Sequence, residues 1–112
     1  SANAISAEGV LVNIDGTGNR ISAATGAHEV VCYLVGRNKV APTFDQALWR
    51  ARNVAAPKRA QSMGCRTPCA AKADRCYDCK SRAHLPGACG SLGSPNATEE
   101  MEVVLIGEAL GM

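Results

Sequence analysis

Three short runs of β-branched and aliphatic residues constrain the fold of this chain most strongly. They span residues 10–14, 30–35 and 103–106, and each is bounded by glycine or by polar and charged residues. The second and third runs show almost no alternation of apolar and polar residues, which is typical of strands covered on both faces in a mostly parallel sheet. The sequence therefore predicts an α/β fold with an open, mostly parallel sheet and flanking helices, and it places Cys32 in a buried strand.

Helical patterns lie between the strand runs, where covering elements are needed. Thr43-x-x-Gln46 is a capping box, and apolar residues follow it at helical spacing. Pro57 is expected to break or restart this helix, and its continuation is expected to end near Gly64. A shorter helix is expected to follow Gly18.

The core available to such a fold is thin. The chain has 112 residues, enough for one domain, and Leu, Ile, Val and Phe together number only 21 of them. A domain of this size with four aromatic side chains is expected to need help from a partner, a metal or a further segment. We therefore expect a homo-oligomer, or association with an amino-terminal segment that precedes Ser1.

The charge balance limits the classes of partner. Twelve basic and ten acidic residues give a net charge of +2, and no basic face interleaved with aromatic residues is present, so a nucleic-acid partner is not expected. No stretch approaches the roughly 18 apolar residues that span a bilayer, so no membrane association is expected either. These patterns indicate a soluble, cytoplasmic protein.

A glycine-containing loop follows the first strand run and precedes the short helix. It contains Asp15, Gly16, Gly18, Asn19 and Arg20. Ligands of open α/β sheets lie beyond the carboxyl ends of strands, where glycines let backbone amides approach an anion. Asp15 could then act as a base or hydroxyl acceptor, and Arg20 could pair with a phosphate or carboxylate. The alternative is a simple turn in which Asp15 and Asn19 cap the helix.

Lys39 lies in the turn that follows the second strand run. Its position is again the carboxyl end of a strand, where ligands gather. The residue is either a second ligand-binding cation or a solvated lysine at the edge of the sheet.

Residues 65–96 differ from the rest of the chain in composition. They hold five of the six cysteines with three prolines and three glycines, which predicts a Cys-rich loop insertion. Cys65, Cys69, Cys76 and Cys79 could surround a zinc ion or an iron–sulfur cluster, and Cys89 could join them. Reduced or redox-active thiols and structural disulfides are the alternatives. Such a loop would serve a metal-dependent or thiol-dependent redox or interaction module.

Several longer motifs follow one another along nearly the whole chain. They are Ser1-Ala2-Asn3-Ala4-Ile5, Gly9-Val10-Leu11-Val12-Asn13-Ile14-Asp15-Gly16-x-Gly18-Asn19-Arg20, Gly36-Arg37-Asn38-Lys39, Arg52-Asn53-Val54-Ala55-Ala56-Pro57, Thr67-Pro68-Cys69, Cys76-x-Asp78-Cys79-Lys80-Ser81 and Val104-Leu105-Ile106-Gly107-Glu108-x-Leu110-Gly111. The set resembles the LUD domain of lactate utilisation proteins and their many bacterial relatives. It corresponds to the carboxyl-terminal part of that domain, so residues 1–112 are expected to form a single, partial LUD domain.

The resemblance implies a fold similar to the ribose-phosphate isomerase, glucosamine-phosphate deaminase and CoA-transferase group. Small phosphorylated or acyl substrates bind at strand ends in that group. By this analogy a small anionic metabolite would bind to Asn3, Asp15, Gly16, Gly18, Asn19, Arg20 and Lys39. The implied role is in lactate or related organic-acid oxidation, and it leaves open whether the chain itself catalyses a reaction.

The chain departs from the family pattern at two places. Arg59 stands where the family commonly has asparagine. The usual cysteine after the Cys-x-Asp-Cys pair is either absent or displaced by a short insertion to Cys89.

Overall fold

A computed structural model describes residues 1–26, 28–79, 88–92 and 100–112, and for 88–92 it describes the backbone alone. The strands are β1 (Ala4–Ser6), β2 (Leu11–Asp15), β3 (Val30–Gly36), β4 (Val40–Ala41), β5 (Ala88–Leu92) and β6 (Glu100–Ile106). The α-helices are α1 (Asn19–Thr25), α2 (Phe44–Arg50), α3 (Ala56–Ser62) and α4 (Pro68–Lys72). A 3₁₀ turn, Arg37–Lys39, links β3 to β4, and a π-helical turn, Ala51–Ala55, links α2 to α3.

The strands form two sheets. Four strands pair in the order β4-β1-β2-β5, with β1 parallel to β4 and β2 antiparallel to both β1 and β5. The second sheet consists of β3 and β6, which pair in parallel from Val30↔Glu100 to Gly36↔Ile106. The predicted α/β character is confirmed and a parallel sheet is present, formed by the second and third runs, but the four-stranded sheet is mixed and not mostly parallel. The first run, which forms β2, differs from the prediction. It pairs in antiparallel with the short preceding strand β1, to which a tight turn joins it.

Local signals in the sequence place the helices. The Thr43 side chain accepts a hydrogen bond from the backbone N–H of Gln46 and so begins α2 as a capping residue. The Ala56 N–H bonds to the Ala51 carbonyl, which widens the helix by one residue just before Pro57. Because proline lacks an N–H and crowds the carbonyl four residues earlier, this widening lets the helical path continue through the predicted break.

The four-stranded sheet is covered on both faces. On one face Ile5 and Leu11 pack with Tyr33 and Val35 of β3 and with Ala24 of α1. On the other face small side chains meet helix α2 and the π-helical turn; the buried members are Ala4, Val12, Ala41, Ala47 and Ala51. Alternate residues of β1 and β2 therefore serve opposite cores, as the pleat of a strand requires. The alanines allow the helix to approach the sheet closely.

Among the described residues, cover on the β3–β6 sheet lies on one face, that of Tyr33 and Val35. Val30 and Leu34 are 55% and 54% exposed, and Val104, opposite Leu34, is 38% exposed. Cys32 points to the same open side and is exposed, so its predicted burial is wrong. The apolar run lacks alternation because it is apolar on both faces, although the described residues pack against only one of them.

Self-association through this open strand face stays a prediction that can be measured. Parallel sheets are normally covered on both sides, so sedimentation equilibrium is expected to show a mass that rises above one chain with concentration. Val30→Lys, which places a charge on the open face, should suppress that rise. Trp49→Lys, which changes another exposed apolar side chain on helix α2, should leave it unchanged. A compact, cooperatively unfolding monomer at every concentration would contradict the prediction.

The segment 65–96 is not a loop throughout. Thr67 caps α4, in which Pro68 is the first residue, because its side chain accepts a hydrogen bond from the Ala70 N–H. Strand β5 pairs Cys89 with Ile14 of β2. The rest of the predicted insertion, 80–87 and 93–96, and the Cys89 side chain lie outside the described residues.

Candidate functional site

A cavity of about 720 Å³ lies at the carboxyl end of β2. We call it the central cavity. It is bordered by the loop after β2, by the helical path from α2 to α3, and by residues 65–79. Its described lining is Asn3, Ile14, Asp15, Gly16, Thr17, Asn19, Arg20, Leu48, Arg52, Ala56, Pro57, Arg59, Ala60, Met63, Cys65, Thr67, Cys69, Cys76, Tyr77, Asp78 and Cys79. The cavity thus joins the glycine-containing loop to the cysteine segment, which the sequence had treated as separate candidates.

Asp15 is held by the backbone of its own loop. It is 5% exposed, and its carboxylate accepts hydrogen bonds from the backbone N–H groups of Thr17 at 3.3 Å, Arg20 at 2.5 Å and Ile21 at 3.2 Å. Burial acts to raise the pKa of Asp15, but these three bonds and the Arg20 charge outweigh it and lower the pKa below its ordinary value. Asp15 therefore caps α1, as the alternative expected, whereas the Asn19 side-chain oxygen accepts from the Thr17 hydroxyl at 2.8 Å.

Because Asp15 caps α1, three backbone N–H groups at this end of the cavity are already hydrogen-bonded. Because the N–H groups of Thr17, Arg20 and Ile21 bond to Asp15, an anion in the cavity would have to displace that carboxylate to reach them. Gly18 adopts φ +81° at the start of α1, a backbone conformation that favours glycine. Gly18 belongs to the turn and is not part of the cavity lining given above.

Asn3 ties the loop to the neighbouring strand. Its side-chain oxygen accepts from the Ile14 N–H at 2.9 Å and from the Arg20 guanidinium at 3.2 Å. The Asn3 N–H in turn donates to Asn13 Oδ1 at 3.2 Å. Asn3 and Asn13 are both buried, so this network holds the Arg20 side chain at the edge of the cavity.

Arginines dominate the charge of the cavity lining. Arg20, Arg52 and Arg59 face two acidic residues, Asp15 and Asp78, so the charged groups that line it sum to +1. Arg52 forms an ion pair with Asp78 and contacts Cys76 Sγ at 3.9 Å. The contact with Cys76, together with the Asp78 charge, raises the pKa of Arg52. With Asp15 engaged by amides and Asp78 by Arg52, the remaining positive charge belongs to Arg20 and Arg59.

Arg52 and Arg59 line the central cavity but were not predicted as binding residues. The two are seven residues apart, a separation that places side chains on one helical face after two turns. That spacing is the signal that could have identified them, although the π-helical turn between them shifts the register.

The four cysteines of the predicted metal set all reach the central cavity. Cys65, Cys69, Cys76 and Cys79 line it as free thiols, each of intermediate exposure. Cys69 Sγ lies 3.2 Å from the Thr67 hydroxyl, and the Cys76 N–H donates to Asn53 Oδ1 at 3.1 Å. Across the described ranges, no three His, Cys, Asp or Glu side chains are grouped closely enough to hold a metal ion.

Lys39 does not line the central cavity. It is 7% exposed, its ammonium donates to Ser1 Oγ at 3.0 Å, and it borders a different cavity of about 320 Å³. The analogy had grouped Lys39 with Asp15, but the two follow strands of different sheets. The carboxyl ends of β2 and β3 therefore border different cavities.

A strand-end cavity of this volume in an α/β domain is typical of small-molecule sites. The family model of the LUD domain matches residues 1–109, and the chain belongs to the LUD-domain family. This family is related to lactate utilisation. No curated protein and no solved structure was found to match the chain. None of the helices in the described part is long and apolar enough to cross a membrane.

Proposed function

We propose that this chain binds a small organic anion, lactate or a related 2-hydroxy or 2-keto acid, in the central cavity and serves organic-acid utilisation. The observation that carries the proposal is the surplus of arginine at a strand-end cavity of about 720 Å³. That volume falls within the roughly 300–1,000 Å³ of small-molecule sites. Membership of the LUD-domain family supports the choice of lactate as the first ligand to test.

The lining of the central cavity offers side chains for the carboxylate, the oxygen substituent and the carbon skeleton of such a ligand. Arg59 and Arg20 offer guanidinium groups, which pair with carboxylates by charge-assisted hydrogen bonds. The Thr17 hydroxyl donates to Asn19 Oδ1 at 2.8 Å, which leaves the Thr17 oxygen to accept from the ligand's hydroxyl and the Asn19 N–H groups to donate to its hydroxyl or keto oxygen. Ile14 is among the apolar side chains that would contact its carbon skeleton; the others are Leu48, Pro57, Ala60 and Met63.

Calorimetric titration with L-lactate tests this proposal, with propane-1,2-diol as the neutral control that has the same carbon chain but no carboxylate. Lactate should bind and the diol should not, because only the carboxylate can pair with guanidinium. Arg59→Gln should weaken lactate binding by about tenfold or more, since it removes a charge-assisted hydrogen bond.

Arg66→Gln is the matched control for that variant. Arg66 is an exposed arginine a few residues after α3, and it does not line the central cavity. Equal affinity of wild type, Arg59→Gln and Arg66→Gln would contradict the assignment of the cavity. Equal binding of lactate and the diol would contradict the anionic ligand.

The cysteine lining favours a second candidate function, a thiol-dependent module that takes up zinc or an iron–sulfur cluster. Its support is that all four thiols of the predicted set line one cavity, since thiolates are the preferred ligands of both groups. The thiols would have to move closer together on uptake, because no three of the described metal-binding side chains are grouped closely enough to hold an ion. Elemental analysis with free-thiol counting on protein purified without oxidant tests it. Zinc or iron with about four protected thiols would support the module. Six reactive thiols and no metal would contradict it.

A further inference from the structure

The Lys39 ammonium forms a second polar site, separate from the central cavity. Its pocket, which we call the Lys39 pocket, has a volume of about 320 Å³ and includes Ser1 among its walls. Lys39 is 7% exposed, and its one described hydrogen bond goes to the neutral Ser1 hydroxyl. Lysine is rarely this buried without a charged partner.

The charges around Lys39 are unbalanced. The cations Arg20 and Arg50 lie close enough to repel its positive charge, and the ion pair formed among the described residues is that of Arg52 with Asp78. Burial, Arg50 and Arg20 together lower the pKa of Lys39. Burying an ammonium without a carboxylate is unfavourable, so a bound anion would relieve the cost.

The remaining walls of the Lys39 pocket are apolar or lack a side chain. Leu34, Ile106 and Leu110 supply aliphatic surface, and Gly36 and Gly111 supply backbone. A Cβ at position 111 would lie 3.1 Å from Lys39 Nζ, so a side chain there would crowd the ammonium. Glycine at this position leaves the charged end of the pocket accessible.

Asn38 holds in place the segment 110–111, which borders the Lys39 pocket. The Asn38 side chain accepts a hydrogen bond from the Leu110 N–H at 3.1 Å and donates one to the Gly111 carbonyl at 3.2 Å. A side chain at Gly36 would come within 2.6 Å of the Leu110 nitrogen, so the segment depends on glycine for its close approach. The pocket is therefore formed by specific contacts between the two parts of the chain.

We propose that the Lys39 pocket binds a short-chain aliphatic monocarboxylate, with its carboxylate on the Lys39 ammonium and its alkyl chain against Leu34, Ile106 and Leu110. One charged group at one end selects a single carboxylate, and aliphatic walls select an unsubstituted tail. This site uses none of the residues that line the central cavity, so it stands or falls independently of the function proposed above.

Butyrate is the probe, and butanamide is its neutral analogue of nearly the same shape. Titrations followed by NMR should show butyrate binding at least about tenfold more tightly than butanamide, because only butyrate pairs with the ammonium. Acetate, which lacks the tail, should bind more weakly than butyrate. These comparisons use the unaltered chain and so do not depend on a variant folding.

Lys39→Met keeps the length of the side chain and removes its charge, and it should abolish the preference for butyrate over butanamide. Lys39→Arg should retain that preference, and Lys58→Met, at an exposed lysine outside both cavities, should bind butyrate as the wild type does. Equal affinity for butyrate and butanamide would overturn the proposal. Loss of butyrate binding in Arg59→Gln but not in Lys39→Met would overturn it too, since butyrate would then occupy the central cavity.

Discussion

Asp15→Ala is expected to lower the free energy of unfolding by about 2–4 kcal/mol, because it removes the acceptor of three backbone N–H groups from a nearly buried position. A chain of 112 residues has a total stability of about 6–15 kcal/mol, so this loss is a large fraction of it. Urea denaturation at neutral pH measures the change. Asp45→Ala, at an exposed aspartate in the first turn of α2, is the matched control and should cost under about 1 kcal/mol.

The same carboxylate makes stability depend on pH. Because folding lowers the pKa of Asp15 from 3.8, its contribution is fully present above that value and is lost as pH falls through the folded-state pKa. The gap in stability between wild type and Asp15→Asn should therefore narrow on going from pH 7 to the acid side of pH 3.8. A gap that is constant with pH, or equal losses from Asp15→Ala and Asp45→Ala, would show that Asp15 does not hold the loop.

Arg50→Met is expected to cost about 2–3 kcal/mol of stability, because one guanidinium joins three parts of the chain. Its Nε donates to the Asn38 carbonyl at 2.9 Å, and one terminal nitrogen donates to the carbonyls of Asn3 at 2.7 Å and Met112 at 3.5 Å. Methionine preserves the aliphatic part of the side chain. The loss of stability therefore measures the removal of these hydrogen bonds and the cost of leaving their carbonyl acceptors unpaired.

Arg37→Met provides the comparison for Arg50→Met. Arg37 is exposed, and in the described structure its backbone N–H, not its guanidinium, makes the contact with Glu108. Thermal and urea unfolding of Arg37→Met should stay within about 0.5 kcal/mol of wild type. An Arg50→Met variant as stable as Arg37→Met would contradict the role of Arg50 as the link between β1, the 3₁₀ turn and the carboxyl-terminal segment.

The parts of the fold that the sequence predicted rest on local signals. The Thr43 cap of α2 and the turn glycine after α3, Gly64 at φ +67°, each act within a few residues and are present in the structure. The antiparallel course of β2 was not predictable in this way. Its neighbour β1 is only Ala4–Ser6, too short for a recognisable run, and pairing between strands depends on contacts that are distant in sequence.

In the candidate site too, local features were predictable from the sequence and contacts between distant residues were not. The position of the Asp15 loop at a strand end followed from the chain order, and the structure places five of the seven proposed ligand residues on one cavity; they are Asn3, Asp15, Gly16, Asn19 and Arg20. The placement of Lys39 elsewhere follows from the division into two sheets, which residue patterns do not encode. The joining of the cysteines to the Asp15 loop depends on how residues 65–79 fold back over the helices.

Mapping of L-lactate onto the ¹⁵N-labelled chain by NMR tests the central claim most directly, with sodium chloride at matched ionic strength as the reference. The account requires lactate-specific shifts in the backbone amides of Gly16, Thr17 and Arg59 that saturate with a single affinity. It also requires those shifts to be lost in Arg59→Gln and kept in Arg66→Gln. Identical spectra in lactate and chloride, or shifts confined to residues outside the central cavity, would contradict it.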